Sequence, residues 1–270
     1  MPHPPIGKLL REWRALRGIS QFDLALKTDV SPRHLSYIET GKAQASRNVL
    51  HRLADVLVMP LRERNTLMMA AGYAPQYPET TWEAESLEMM RRAVDLIITH
   101  QEPYPAFVLN RCWDVLMVND AAVRINQLIM HGRPSKHGNI LRQVFDPEDV
   151  RAAIVNWEEV AEKFILLLHQ EIAASPNDDK AQALLDEVLH FPGVPKRWRQ
   201  RDINSTPSPI LTMTFQTSMG HLSFFETITT FATPRNVTLD DIRIDCAFPA
   251  DGHTAAVCAK LAEQASRKLG

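Results

Sequence analysis

The sequence predicts an all-α domain of five helices followed by an α+β domain with an antiparallel sheet. Residues 1–74 repeat apolar side chains at helical spacing between capping residues and contain no strand-like run. Residues 73–81 (YAPQYPETT) are rich in proline and threonine, which is typical of a connection between domains. Beyond them, two strand-like runs, several helical stretches and three further strand-like runs follow in order. We therefore place the first domain at residues 1–74, a linker at 75–84 and a second domain at 85–270.

The composition is that of an ordinary globular protein. Of the 270 residues, 45% are hydrophobic and 23% are charged, and the length is sufficient for two cores. No apolar run is long enough to span a bilayer, and the N-terminus (MPHPPIGK) lacks the apolar centre of an export signal. The three cysteines show no paired spacing, which is typical of buried thiols in a reducing compartment. We therefore expect a cytoplasmic protein that does not enter membranes.

Charge is distributed unevenly along the chain. Residues 1–74 carry 11 lysines and arginines against 6 aspartates and glutamates, whereas the remainder carries 19 against 26. A basic first domain favours contact with a phosphate backbone, and an acidic remainder would be repelled from one.

Each of the five helices in the first domain has a start or stop signal. The predicted helix starts are marked by Ser20, Ser31, Ser46 and Pro60. Gly18 ends helix one, which carries a continuous apolar stripe. On helix three, Leu35 and Ile38 face inward, and this leaves Arg33 and Tyr37 on the outer surface.

Helices two and three resemble the helix-turn-helix of the lambda-repressor/Cro type, also called the XRE family. The resemblance covers roughly residues 6–72. The matching residues are Gln21, Leu24-Ala25, Val30-Ser31, Leu35-Ser36, Glu39 and Gly41. Two departures are Asp29 in the turn, where glycine is common, and Ala45, where proline often precedes the Ser46 cap. The resemblance implies a DNA-binding domain whose third helix enters the major groove.

The candidate DNA contacts are Gln21, Ser31, Arg33, His34, Tyr37, Lys42 and Arg47. Arg33 can read guanine through two parallel hydrogen bonds, and Tyr37 can touch a thymine methyl group or a phosphate. Gln21 and Ser31 stand at helix N-termini, where side chains and backbone N–H groups hold phosphates. Lys42 and Arg47 would flank the backbone or the minor groove. The alternative is a solvated polar face on a protein-binding domain.

Glu39 on helix three has a structural interpretation. The resemblance implies that Glu39 pairs with Arg14 of helix one and does not contact a base. A partly buried pair of this kind would fix the recognition helix against helix one.

The second domain alternates between helical and strand-like patterns. The predicted helices are residues 82–100, 120–131, 147–171, 180–190 and 254–268. The predicted strands are residues 106–109, 113–118, 209–217, 221–231 and 242–248, with a short turn at 218–220.

This order of elements is similar to a PAS-type fold with an unusually helical middle. Residues 105–122 (PAFVLNRCWDVLMVNDAA) also resemble the start of the MmyB-like ligand-binding domain, which follows an XRE domain in many bacterial regulators. The matching residues are Pro105, Trp113-Asp114-Val115, Asn119 and Ala121-Ala122, and residues 213–227 are a later match. The resemblance covers roughly residues 85–255. It implies a sensor that binds small apolar ligands, fatty acids included, in a cavity between sheet and helices.

Eleven residues are candidates for the wall of such a cavity. They are Phe107, Leu109, Trp113, Val115, Met117, Phe164, Leu168, Met213, Phe215, Phe224 and Phe225. The alternative is a plain packed core. His131 and His137 have no carboxylate or thiol beside them, so no metal site is predicted.

The sequence therefore predicts a transcriptional regulator that binds an inverted-repeat operator in double-stranded DNA as a homodimer. Its second domain would bind a small apolar effector, with a fatty acid as one candidate, and no other cofactor. One rival is a second domain that serves only as a ligand-free dimerisation platform. Another is an enzyme brought to DNA by the first domain, although the sequence contains no nucleophile elbow, P-loop or dinucleotide fingerprint.

Overall fold

The structure, a computed structural model, describes residues 5–175, 179–199 and 210–269. The chain divides into two units. The first contains Met1–Thr80, Ala173–Asn177 and Thr233–Asp240, and the second contains Thr81–Ile172, Asp178–Ala232 and Asp241–Gly270. The predicted fold class is confirmed, because a five-helix region precedes an α+β domain with a five-stranded antiparallel sheet.

The five N-terminal helices begin and end close to the predicted positions. They are α1 (Ile6–Leu16), α2 (Gln21–Lys27), α3 (Pro32–Glu39), α4 (Arg47–Val56) and α5 (Leu61–Ala70). Their apolar faces meet in one core around the fully buried Trp13, Leu35 and Leu53. The helices α1 and α3 approach closely at Gly7, where an added Cβ would lie 2.0 Å from the carbonyl oxygen of Glu39. Only glycine fits this crossing without a shift of the backbone.

The first unit also contains the segment Thr233–Asp240, far along the chain from its five helices. The Asp240 carboxylate accepts a hydrogen bond from the Leu61 backbone N–H at 3.2 Å, at the first residue of α5. Thr238 donates its hydroxyl to the Thr80 carbonyl, and the Val237 N–H donates to the Pro78 carbonyl at 2.9 Å. This segment therefore satisfies backbone groups of α5 and of the chain that follows it.

The second unit contains one sheet and the remaining helices. The helices are α6 (Glu88–His100), α7 (Asp120–Ile129), α8 (Ile140–Phe145), α9 (Trp157–Ala174), α10 (Asp179–Val188), α11 (Val237–Asp241) and α12 (Gly252–Leu269), of which α9 ends in the first unit and α11 belongs mainly to it. The strands are β1 (Ala106–Leu109), β2 (Val115–Val118), β3 (Thr212–Thr217), β4 (Gly220–Thr229) and β5 (Arg243–Pro249). Short 3-10 turns lie at Glu85–Leu87, Val150–Ala153 and Lys196–Arg199.

The strands lie in the order β2-β1-β5-β4-β3, and every neighbouring pair is antiparallel. Residues directly opposite each other share a face of the sheet, and successive residues alternate between faces. The register pairs Phe107 with Asp245, and Glu226 with Ala247. These four residues therefore lie on one face.

The helical middle of the second unit differs from the prediction. The predicted helix 147–171 is interrupted, because Ile154 bridges to Phe215 and the Val155 N–H donates to the Thr214 carbonyl at 2.8 Å. Pairing with the sheet therefore replaces helical hydrogen bonds there, and α9 begins only at Trp157. The helices α8 and α11 were not predicted. The predicted strand start at Pro209 and residues 176–178 of the predicted helix break lie outside the described residues.

Among the described residues, no helix is long and apolar enough to cross a membrane.

Candidate nucleic-acid interface and candidate ligand cavity

The caps of α2 and α3 fix the geometry of the helix-turn-helix. The Ser20 side chain accepts a hydrogen bond from the Asp23 N–H at 3.1 Å, and Ser31 accepts one from the His34 N–H at 3.2 Å. In the turn, Asp29 has a φ of +51°, in the left-handed region that glycine fills most easily. Asp29 thus adopts the backbone conformation for which related sequences often use glycine.

The outward face of α3 and its N-cap carry four of the predicted DNA contacts. Ser31, Arg33 and Tyr37 are exposed, and His34 is half-buried. The Arg33 Nε donates to the Tyr37 hydroxyl at 3.1 Å, and the guanidinium lies 5.4 Å from the centre of the Tyr37 ring. Within the described residues, the two terminal nitrogens of Arg33 have no hydrogen-bond partner, so the fork that could contact a base is available.

A buried carboxylate holds α3 from behind. Glu39 is only 3% exposed. Its Oε1 accepts from the Arg14 Nε at 2.7 Å, and its Oε2 accepts from the Arg14 Nη2 at 3.0 Å. The Gln21 Nε2 donates to the same Oε2 at 2.8 Å, and Arg11 donates to the Glu39 backbone carbonyl at 2.7 Å. This network links α1, α2 and α3. Gln21 has therefore a structural contact as well as its predicted phosphate contact.

Two further cations lie beyond α3. Lys42 and Arg47 are exposed, and the Arg47 guanidinium lies 5.0 Å from the centre of the Tyr73 ring. The Tyr73 hydroxyl donates to the Ala45 carbonyl at 3.0 Å, which holds the ring in place. Across the described parts of the chain, no carboxylate forms an ion pair with Arg33, Lys42 or Arg47. Their charges remain available to an anionic partner.

A cavity of about 80 Å³ lies in the second unit, between one face of the sheet and the helices α7 and α8. The strands contribute Phe107, Leu109, Met213, Phe215, Phe224, Glu226, Asp245 and Ala247. The remaining wall consists of Pro105, Ala122, Ile125, Asn126, Ile129, Ile140, Gln143, Val144 and Val150. The wall is mainly apolar with a few polar groups, which is typical of small-molecule sites.

Five of the eleven predicted wall residues line this cavity: Phe107, Leu109, Met213, Phe215 and Phe224. Strand alternation corrects two of the others. Met117 lies opposite Val108, on the face away from the cavity. Phe225 lies between two cavity-lining residues of β4, so its side chain points to the other face and stacks on Phe248 at 5.6 Å.

The four remaining predicted residues do not line this cavity. Phe164 and Leu168 pack into the core from α9. Trp113 lies in a turn before β2 with a φ of +61°, and its ring packs against the core and not along the cavity. Val115 lines a neighbouring groove.

That groove has a volume of about 370 Å³ and shares five wall residues with the cavity. The shared residues are Phe107, Ala122, Asn126, Ile140 and Gln143. Arg133 also lines the groove. A ligand longer than the cavity could therefore extend along this shared wall.

Two acidic residues of the cavity wall, Glu226 and Asp245, were not among the predicted site residues. Asp245 pairs with Ile228 and Glu226 with Ala247, which makes the two carboxyl groups diagonal neighbours on adjacent strands. Both lie in predicted strands. Glu226 is in step with Phe224 and Ile228, which is a signal that could have identified it, whereas Asp245 is in step with Arg243 and Ala247 and has no such local signal.

The surroundings of Glu226 and Asp245 raise the pKa values of both carboxyl groups. Burial, and secondly the nearby Glu226 carboxylate, raise the pKa of Asp245 to about 8. Burial raises the pKa of Glu226 also. The Glu226 side chain retains accessible surface at the cavity wall, and its pKa is raised to about 7. Near neutral pH the pair therefore shares a proton, because two close carboxylates do not both ionise easily.

A helix-turn-helix surface joined to an α+β unit with an apolar cavity defines a DNA-binding transcriptional regulator with a ligand-binding domain. Residues 5–67 match the family described as "Helix-turn-helix domain". Residues 90–261, more than half of the chain, match "MmyB-like transcription regulator ligand binding domain". The chain belongs to this MmyB-like family, and both resemblances predicted from the sequence are confirmed. It is also similar to the "Uncharacterized HTH-type transcriptional regulator RghRB" of Bacillus subtilis (strain 168), with 29% identity over 118 residues, 43% of this chain and 83% of the relative.

Proposed function

We propose that this regulator binds an operator through the outward face of α3, and that a small ligand with an apolar body, bound in the second unit, changes operator occupancy. The observation that carries the DNA contact is the layering of α3. Its outer side chains include a cation with no carboxylate partner among the described residues, while its inner side is fixed by the Glu39 network. A rigid helix with a free guanidinium fork suits the major groove.

Each predicted DNA residue has a role in this proposal. Arg33 reads a guanine, Tyr37 packs beside it on a methyl group or phosphate, and His34 is a neighbouring contact. Ser31 and Gln21 hold phosphates at helix N-termini, and Lys42 and Arg47 neutralise the backbone on either side.

An operator selected from random duplexes by the full-length protein tests this assignment. We expect Arg33→Ala to weaken binding to that operator by about 1–3 kcal/mol and to relax the preference at one base pair. Arg52→Ala is the matched control, because Arg52 lies on α4 with its guanidinium 3.7 Å from Asp29. Unchanged operator affinity for Arg33→Ala in a footprinting titration would contradict the proposed base contact.

The ligand-binding role is supported by the mainly apolar cavity, by the groove beside it and by the family match. A fatty acid remains one candidate ligand. The cavity alone, at about 80 Å³, is smaller than the roughly 300–1,000 Å³ of typical ligand sites, so a long chain would have to extend into the groove or widen the cavity. The same small volume favours the second candidate function, a ligand-free dimerisation platform.

Native mass spectrometry of the protein purified from its host separates these two functions. A stoichiometric small molecule, released on denaturation and absent from Ala122→Phe, supports ligand binding, because Ala122 lines both the cavity and the groove. Ala262→Phe, on the half-buried side of α12, serves as the control substitution. An empty protein in every preparation supports the platform.

The proposed dimer is supported by an exposed apolar stripe on α6. Met89 is 70% exposed, Leu96 59% and Ile97 40%, and Ala93 lies between them at helical spacing. Two copies of such a stripe can bury each other in a symmetric contact and present two α3 helices to an inverted repeat. We expect Leu96→Glu to halve the mass measured by sedimentation, whereas Asp95→Asn leaves it unchanged.

The connection between β4 and β5 offers a route from ligand to DNA. Both strands line the cavity, and the segment Thr233–Asp240 that joins them belongs to the first unit. A shift of these strands would therefore reach α5 through Asp240, and the chain that follows α5 through Thr238. Ala247→Leu, which fills the cavity, should change operator affinity in the wild-type background and not in Thr238→Val. Thr229→Val, at the exposed end of β4, is the control background, and equal effects in all three would rule out this route.

A further inference from the structure

The charged groups of the cavity are all of one sign. Of the described residues that line it, Glu226 and Asp245 are the ionisable ones, and the other polar residues are the neutral Asn126 and Gln143. A mainly apolar cavity with two adjacent carboxyl groups on its floor is complementary to a molecule with one cationic end.

Asp245 is incompletely satisfied within the protein. Its Oδ1 is buried and has no hydrogen-bond partner among the residues that the structure describes. A buried carboxyl oxygen without a donor raises the free energy of the folded state, and a donor from a ligand would remove that cost. Asp245 lines the cavity and retains some accessible surface, so a ligand in the cavity can reach its carboxyl group.

The nearby cations of the protein are engaged elsewhere. Arg243, two residues along β5, donates to the Ile242 carbonyl and does not line the cavity. The cations on α7, α8 and the following 3-10 turn are held by other groups: Arg124 by Glu102, Arg142 by Glu187, and Arg151 by the ring of Trp157. No described basic side chain of these elements neutralises the two acids from within.

We propose that the cavity binds a small organic cation, an amine-bearing ligand whose ammonium group lies against Glu226 and Asp245 and whose apolar body fills the rest of the cavity. This inference rests on the proposed ligand-binding function and names the chemistry of the ligand. Phe107 and Phe224 stand beside the acids in strand register, and aromatic rings attract cations in desolvated sites. A longer ligand passes along the shared wall into the groove.

A fatty acid fits this end of the cavity poorly. At pH 8 its carboxylate would meet the negative charge of the Glu226–Asp245 pair there, and like charges in a desolvated site repel strongly. Its polar end would instead lie in the groove, near Arg133. A cationic ligand and a fatty acid therefore require opposite charges at the end of the cavity formed by Glu226 and Asp245.

Three probes with one apolar chain and different ends distinguish these classes. Titration calorimetry of the full-length protein with hexylammonium, hexanol and hexanoate, at pH 8, compares a cation, a neutral molecule and an anion. We expect hexylammonium to bind at least about tenfold more tightly than hexanoate, with hexanol between them. Both Asp245→Asn and Glu226→Gln should remove the advantage of the cation and leave the affinity for hexanol unchanged or higher. Glu263→Gln, which removes an exposed charge on α12, should keep the wild-type order.

The pH dependence gives an independent readout. Hexylammonium keeps its charge throughout this range, since alkylamines titrate near about 10. Its binding should strengthen as the pH rises from 6 to 8.5, because Asp245 and Glu226 lose their shared proton over that range. The inference is overturned if hexanoate binds more tightly than hexylammonium, or if hexylammonium binds equally to Asp245→Asn and wild type. In that case, binding of hexanol would still support the proposed ligand-binding function. Failure of all three probes to bind overturns both.

Discussion

Two carboxyl groups with buried oxygens, one in each unit, differ in how completely the protein satisfies them. Glu39 accepts three side-chain hydrogen bonds from Arg14 and Gln21, so both of its oxygens are held. Asp245 keeps one buried oxygen without a partner among the described residues. A carboxylate that fixes a recognition helix must be held by the protein itself. A carboxyl group that binds a ligand must keep an oxygen without a donor from the protein, and this raises the free energy of the folded state when no ligand is bound.

The largest expected effect comes from removing the partner of Glu39. Arg14→Ala would leave a nearly buried negative charge with Gln21 as its remaining side-chain donor, and breaking such a pair costs about 3–5 kcal/mol when it is fully buried. Arg14 is 17% exposed, so we expect the lower part of this range from urea unfolding of the first unit. Adding Glu39→Gln should recover part of the loss, because the stranded charge is then gone. A loss no greater than that of Arg52→Ala would contradict the structural role of the pair.

Asp245→Asn should have the opposite sign and a smaller effect. The folded protein holds a proton on Asp245 up to about pH 8, whereas the unfolded chain releases it near about pH 4. The folded state therefore binds more protons between these values, and the wild-type free energy of unfolding falls as the pH rises through them. Asparagine does not titrate, so the variant should match the wild type near pH 4 and be more stable at pH 8.5.

Thermal unfolding without ligand measures this difference. One pKa unit corresponds to about 1.4 kcal/mol, and partial relief of the shift should raise the midpoint of the second unit by about 2–4 °C at pH 8.5. The exposed Glu263→Gln should leave the midpoint unchanged at both pH values. Two results would contradict this difference between Glu39 and Asp245. One is a wild-type protein that gains stability between pH 4 and 8.5, and the other is an Asp245→Asn variant that is less stable than the wild type at pH 8.5.

The two sites also differ in how far the sequence could predict them. Caps and core positions of α2 and α3 lie within about twenty residues, so local spacing was sufficient to identify Ser20, Ser31 and the outward Arg33. The cavity depends on strand register between distant segments, and register decides which face each side chain takes. Thus Phe224 lines the cavity and Phe225 does not, although the sequence predicts both as residues of the cavity wall.

Tertiary contacts explain the remaining differences. The predicted helix is interrupted at residue 154 by a bridge to β3, and the segment before β5 forms a short helix that belongs mainly to the first unit. The sequence alone does not identify the acid pair, because each acid by itself in a strand resembles a surface residue. Only the pairing of β4 with β5 brings Glu226 and Asp245 together.

The smallest expected effect is at Gln21, which donates a hydrogen bond to Glu39 and is also a predicted phosphate contact. Its Nε2 donates to Glu39 at 2.8 Å, but Arg14 already holds both carboxylate oxygens, so Gln21→Ala should cost only about 0.5–1.5 kcal/mol of stability. Its predicted phosphate contact is uncharged. Gln21→Ala should therefore weaken binding to all DNA sequences alike without changing the dependence of affinity on salt. Lys42→Ala is the matched contrast: it should lower the slope of log affinity against log salt by about 1 for each protomer, because a charged contact releases a counterion. Equal salt slopes for Lys42→Ala and wild type would remove Lys42 from the interface, and a loss confined to the operator would make Gln21 a base contact.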